Sequence, residues 1–176
     1  MQVKTWGGIQ MLKRIKAWLL SVPTKRAPDF VVGDPNDPYL ERWWLIPRNP
    51  LFNLYLHRIS KDDDDRALHD HPWPSMTLML QGHYNEISFR YPEQWPEVCS
   101  LENRIRSPGD LIFRRAKTAH RLEVLDISSR PHTPVITLFI TGPVVRKWGF
   151  YCPQGWRYYR DFVAKDNPGE IGRGCA

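Results

Sequence analysis

No stretch of the 176 residues holds eighteen consecutive apolar side chains, so no segment reads as a membrane span. Cysteine is scarce. Cys99, Cys152 and Cys175 form an odd set without CxxC spacing, which excludes a zinc knuckle. Reduced thiols in a cytoplasm are the resulting expectation. A secretory signal is missing as well, because the apolar part of residues 15–20 is too short and lacks a small-residue cleavage site. There is no internal repeat and no low-complexity tract. Proline, by contrast, is abundant, with 16 residues. Such a content disfavours a helical bundle and favours short strands joined by fixed turns.

What is present suits one domain of ordinary size: 20.8 kDa with 41% apolar residues, enough for a core without disulfide staples. The formal charge is 25 − 19 = +6. Outside the N-terminal stretch and Arg104, Arg106, Arg114 and Arg115, the positive residues are dispersed. A solvated basic surface follows, and nucleic acid is disfavoured as a partner.

Residues 1–10 carry no usable pattern. From Met11, Leu12, Ile15 and Leu19 recur at helical spacing with Lys13, Arg14 and Lys16 between them, and Pro23 stops the run. This short basic amphipathic helix packs on the domain or on a second subunit, so a homodimer stays open; weak contact with a membrane surface is the other reading. Residues 22–38 are turn-rich. Beyond them the period changes to two, with strands expected near 40–46, 51–59, 67–71, 75–81, 83–91, 99–106, 111–115, 120–125, 134–141 and 146–152. About ten short strands with regular turn signals imply an all-β sandwich or barrel. The expected organisation is a lead-in over 1–38, a barrel over 39–165 and a loose tail over 166–176.

The segment that carries chemistry is His69-Asp70-His71. On a strand, residues i and i+2 share a face, so the two imidazoles project side by side as ligands of one metal must. Gly82 marks a reversal eleven residues later, and Pro108-Gly109-Asp110 makes a second turn. His120 opens a later strand, which an antiparallel barrel can bring beside the first pair.

These motifs resemble the cupin superfamily: His69-Asp70-His71 with Gly82 is similar to its HxH motif, and Pro108-Gly109 with His120 to its second. The resemblance implies a double-stranded β-helix (jelly-roll) barrel with a divalent metal on His69, His71 and His120. The usual carboxylate ligand would fall at Ser75, a poor ligand, so a three-histidine site is implied. Arg48-Asn49, Phe52-Asn53-Leu54 and Leu80-Gln81-Gly82, with Glu86 nearby, further resemble cysteine dioxygenases. That likeness implies Fe(II), where the cupin resemblance alone also allows Zn, Mn or Ni, and gives Arg48 the substrate carboxylate. Met76 stands where that family has its crosslinked cysteine, and Thr137, Phe139 and Thr141 replace its Ser-His-Tyr stretch, so cysteine itself is not implied as substrate. The chain is also similar to small cupin-like proteins of bacteria and their phages.

Other residues enter by position. Glu86, on the returning strand, is a fourth ligand or a base, or else an ordinary strand carboxylate paired with an arginine. Tyr84 shares its face. His57 lies on the polar face of its strand, with Asn53 and Tyr55. Of the adjacent Arg114 and Arg115 one faces inward, and Arg114 is the candidate anion anchor. Asp70 points away from its neighbours as a structural or surface carboxylate, His83 and His132 are read as surface residues, and Asp62–Asp65 as a solvated hairpin. The expected activity is oxidation of a small anionic, amino-acid or thiol-like molecule by Fe(II) and dioxygen. A non-catalytic ligand-binding cupin, or a cupin isomerase or lyase, are the rivals.

Overall fold

The computed structural model describes residues 5–63, 67–89, 100–125, 133–165 and 172–176. Helix α1 (Thr5–Lys25) leads into twelve strands: β1 (Phe30–Asp34), β2 (Asp37–Trp44), β3 (Asn53–Ile59), β4 (Leu68–His69), β5 (Ser75–Gln81), β6 (His83–Phe89), β7 (Leu101–Arg106), β8 (Leu111–Arg114), β9 (His120–Leu125), β10 (Val135–Thr141), β11 (Gly149–Cys152) and β12 (Gly155–Tyr158). The short helix α2 (Tyr159–Phe162) follows. Two six-stranded antiparallel sheets result, one in the order β1-β2-β3-β10-β5-β8 and the other β12-β11-β4-β9-β6-β7. The expected jelly-roll barrel is therefore the fold.

The chain passes from the first sheet to the second at Gly82, whose φ of 72° suits glycine, and a Cβ there would lie 2.9 Å from the Val135 Cα. Between the sheets, Met79, Ile112 and Val135 meet Tyr84 and Leu122. The first sheet is also apolar on its outer side. Leu56, Leu78, Leu80, Ile136 and Leu138 face out, where Leu19, Leu20 and Val22 of α1 pack on them with Trp43.

Four expectations need correction. The helix is longer than read: it starts at Thr5 and carries Pro23 in its last turn, where a missing N–H costs only one bond before the helix ends. β1 forms inside the turn-rich lead-in, because Asp34–Asp37 makes a hairpin that pairs it with β2. The thiols are not all free. Cys152 and Cys175 form a disulfide, since the turn through α2 carries the C-terminal residues back to β11, a meeting that a separation of 23 does not reveal. The last residues, 172–176, are not loose. The N–H groups of Gly172 and Gly174 both bond the Phe162 carbonyl, and Arg157 donates to the Gly174 and Ala176 carbonyls. Cys99, His132, Trp95, Asp64 and Asp65 lie outside the described residues.

Among the described residues, no helix is long and apolar enough to cross a membrane.

Candidate metal centre

β4 and β9 are paired, with His69 directly opposite His120. The extended alternation continues past the end of β4, so His69 and His71 point into the barrel and Asp70 points behind. The ligand-type atoms of His69, His71 and His120 all lie within 4.8 Å of one another. Their ring centroids form a nearly equilateral triangle of 5.1, 5.2 and 5.2 Å. Nε2 of His71 and Nε2 of His120 are 2.9 Å apart, so two ring nitrogens share a single proton where a divalent ion would take both lone pairs. Burial keeps the His71 and His120 rings neutral. It holds His71 well below its ordinary value, helped by the neighbouring imidazoles and Arg114, and brings His120 down to about 4, with Arg114 adding to the effect. Neutral, converging imidazoles are the form a metal binds, and the donor set fits a divalent ion.

Each outward nitrogen of the β4–β9 pair faces a carboxylate. Nδ1 of His120 is 3.3 Å from Glu86 Oε1, and Nδ1 of His69 is 4.0 Å from Asp63 Oδ2. Among the described residues, both Nδ1 atoms are buried without a hydrogen bond of full geometry. Carboxylates in this position fix the tautomer that turns the other nitrogen to the ion.

Glu86 is held tightly. Arg114 Nε donates to Oε1 at 2.6 Å and Arg106 Nε to Oε2 at 2.7 Å. Burial alone would raise its pKa, but His120 and the Arg114 charge outweigh that and hold it below the usual carboxylate range. Arg114 is engaged at all three nitrogens: by Glu86, by the Thr77 hydroxyl at 2.8 Å and by the Tyr84 hydroxyl at 3.2 Å. Tyr84 is 1% exposed and belongs to the core between the sheets.

His57, read as lying on the polar face of its strand, is buried. It accepts from Arg42 Nε at 2.8 Å, and burial followed by the Arg42 charge keeps it well below its ordinary pKa. Its ring stacks on Phe139 at 4.8 Å. Phe139 touches Trp73 edge-on at 5.9 Å, and Trp73 lies 4.5 Å from His71. A continuous row of rings thus joins the Arg42–His57 pair to the histidine triangle. Arg48 is exposed, with its guanidinium over Trp44 at 5.5 Å.

Arg42 is the residue the sequence reading missed. Among the described residues no carboxylate pairs with it. Its remaining contacts are the rings of Tyr55 and Phe30 at 4.9 and 5.8 Å, and its charge is felt at His71. The available signal was the alternation Leu40, Arg42, Trp44, which puts the arginine on one face of β2, and the register then sets it opposite His57. Ser75 Oγ and Thr141 Oγ1, on opposed residues of β5 and β10, are buried with no hydrogen-bond partner among the described residues.

Three acidic residues have structural duties. Asp70 is fully buried and accepts from Gly149 N–H at 2.8 Å, Trp156 Nε1 at 3.2 Å and Arg146. Asp62 and Asp63 are not a solvated hairpin. They accept the N–H groups of Val124 and Leu122 at 2.6 and 2.7 Å, and Asp63 also takes the Tyr39 hydroxyl. His83 is half-buried, 3.1 Å from the Ser107 hydroxyl.

No known protein family and no curated protein matches the sequence. Solved structures do match. The iron(II) form of HppE shares 16% identity over 69% of this chain and 58% of that chain, with a TM-score of 0.48. DMSP lyase DddQ from Ruegeria pomeroyi DSS-3 shares 14% over 74% and 61%, also at 0.48. The EutQ protein of Clostridium difficile shares 14% over 70% and 85%, at 0.45. This chain spans about three-fifths of the length of the first two structures.

Proposed function

We propose that the protein is a metal-dependent cupin that oxidises a small anionic molecule with dioxygen, using Fe(II) held by His69, His71 and His120. Three neutral imidazoles leave a bound ion its full positive charge and open positions for a chelating anion. The observation that carries the reading is Arg42, a cation set against the barrel interior with no carboxylate partner among the described residues, joined by its aromatic row to the histidine triangle. An anionic group on the substrate would complete its pairing. Ser75 and Thr141 offer hydroxyls to the substrate's polar atoms.

In this reading Arg42 takes the anchoring role, and Arg48 attracts the anion from the exposed rim. His57 holds Arg42 in place by accepting from its Nε. Glu86, clamped by Arg106 and Arg114, orients His120 rather than acting as a base, and Tyr84 holds Arg114. The iron would supply the redox chemistry, and the protein orients the substrate and excludes water. A thiol is the simplest substrate type for such a site, because RSH and O2 combine to RSO2H with every atom and electron accounted for and no external reductant.

The test is oxygen uptake by Fe(II)-loaded protein offered small carboxylates with and without a thiol. Stoichiometric oxygen consumption with sulfinate formation supports the reading. Turnover of a substrate without oxygen uptake would replace it with an isomerase or lyase activity.

A further inference from the structure

Helix α1 is anchored at one end. Its last turns pack through Leu19, Leu20 and Val22, with Trp43, on the outer side of the first sheet. Ahead of Leu19, every residue from 7 to 18 is exposed. A Cβ built on Gly7 or Gly8 would meet nothing within 4 Å. About three turns of helix therefore extend from the barrel without cover from the described residues. Such a segment is marginal in water by itself. Isolated helices shorter than about 12–15 residues barely form, and interior glycines weaken them further. A surface to lie on would stabilise it.

The exposed turns are patterned all the same. At about 100° per residue, Met11, Leu12, Ile15 and Trp18 fall within an arc of about 120°. Each of the four is 45–63% exposed. Arg14 lies just beyond one border of that arc and Lys16 just beyond the other, with Lys13 farther round. Thr5–Lys25 contains no acidic residue. Among the described residues, none of these three cations has an ion-pair partner.

We infer that α1 docks on an anionic lipid surface, lying in the plane of the bilayer with Met11, Leu12, Ile15 and Trp18 at the boundary between headgroups and acyl chains. Lys13, Arg14 and Lys16 then meet the negative headgroups. An apolar stripe bordered on both sides by cations, with no acidic residue, is complementary to such an interface. The Lys and Arg stems lie along the apolar layer while their charges reach the headgroups. The Trp18 indole suits the boundary, because its ring is apolar and its N–H stays wet. Nucleic acid would meet the cations but leave the stripe in water. Pairing with the same helix of a second copy would cover the stripe but set cations against cations. One short helix holds weakly, so the barrel would exchange between membrane and solution.

The experiment is flotation of the full chain with phosphatidylcholine vesicles, with and without phosphatidylserine, at low and high salt. Binding should require phosphatidylserine and weaken as salt rises. Lys13→Gln with Arg14→Gln and Lys16→Gln should reduce it on the order of a hundredfold, since each cation near such a surface is worth roughly fivefold. Leu12→Glu with Ile15→Glu should reduce it at least as far, by removing apolar burial. All five sites are exposed and outside the barrel, and far-ultraviolet circular dichroism should show an unchanged β signature. Absence of flotation at low salt overturns the proposal, as does flotation that persists without phosphatidylserine or ignores either variant. Sedimentation velocity separates the rival: a protein that does not float, and whose dimer the Leu12→Glu and Ile15→Glu pair dissociates, assigns the stripe to a second copy and refutes the lipid surface.

Discussion

Replacing Glu86 by glutamine isolates the charge that supports His120. Glu86 is 3% exposed and the side chain of Arg114 is 4% exposed, so their pairing is screened little by water. Arg106, at 20%, is partly solvated and contributes less. Removing one partner of a buried ion pair costs about 3–5 kcal/mol. Glutamine keeps the shape and one acceptor oxygen, so the expected loss for Glu86→Gln is about 2–3 kcal/mol, read by urea unfolding of the metal-free protein. Zinc affinity, measured by competition with a chelating dye, should fall about 10- to 100-fold, because an amide orients His120 less firmly. The pH dependence follows from the lowered Glu86 pKa in the fold. A carboxylate with a depressed folded pKa stabilises above its unfolded value, about 4.3, and that contribution fades as the pH falls below it. The gap between wild type and variant should therefore narrow in acid. A variant within 0.5 kcal/mol of wild type that keeps its zinc affinity would refute both the buried-pair argument and the support assigned to His120; here ~0.5 kcal/mol is the spread of substitutions that touch nothing.

Further expectations concern the ligands, the anion anchor, the disulfide and the turn between sheets. His120→Ala should lose most bound metal while far-ultraviolet circular dichroism keeps its β signature; full metal occupancy would contradict the three-histidine centre. Arg42→Gln should weaken a small carboxylate about 30- to 100-fold at unchanged metal stoichiometry, as loss of a charged hydrogen-bonded pair predicts, and unchanged affinity would remove Arg42 from the substrate. Cys152→Ser opens a loop with a sequence separation of 23 and should lower stability by about 3 kcal/mol in denaturant. Gly82→Ala meets both a φ of 72° and the Val135 backbone at 2.9 Å, and should cost roughly 2 kcal/mol or more in thermal or urea unfolding.

The strands and the histidine cluster were legible because both depend on local order. Period-two alternation is a property of neighbouring residues, and it located Ser75–Gln81 and His120–Leu125 at their observed bounds. His69 and His71 are legible for the same reason. What escaped depends on register or on loops closing at a distance. β1 was hidden by the prolines and aspartates of the hairpin that pairs it. Arg42 acquires meaning only through its register with His57. Asp63 is one of four consecutive aspartates, and nothing in such a run foretells that it binds the N–H of Leu122, 59 residues on. The Cys152–Cys175 bond likewise follows from where α2 turns the chain.

Asp70 sits between two of the histidines and reaches the other way. Its N–H donates to the Gly149 carbonyl at 3.0 Å, and its carboxylate takes the Gly149 N–H at 2.8 Å. A Cβ on residue 149 would lie 2.0 Å from the Arg157 carbonyl oxygen, so β11 can close on β12 at this point only as glycine. This two-point clasp fastens a strand of two residues, too short to be rigid by its own ladder, onto β11. Opening the histidine pair therefore requires breaking the clasp as well. The amide protons of Asp70 and Gly149 should then exchange with solvent deuterium among the slowest in the second sheet, at rates tied to global unfolding rather than to local fraying.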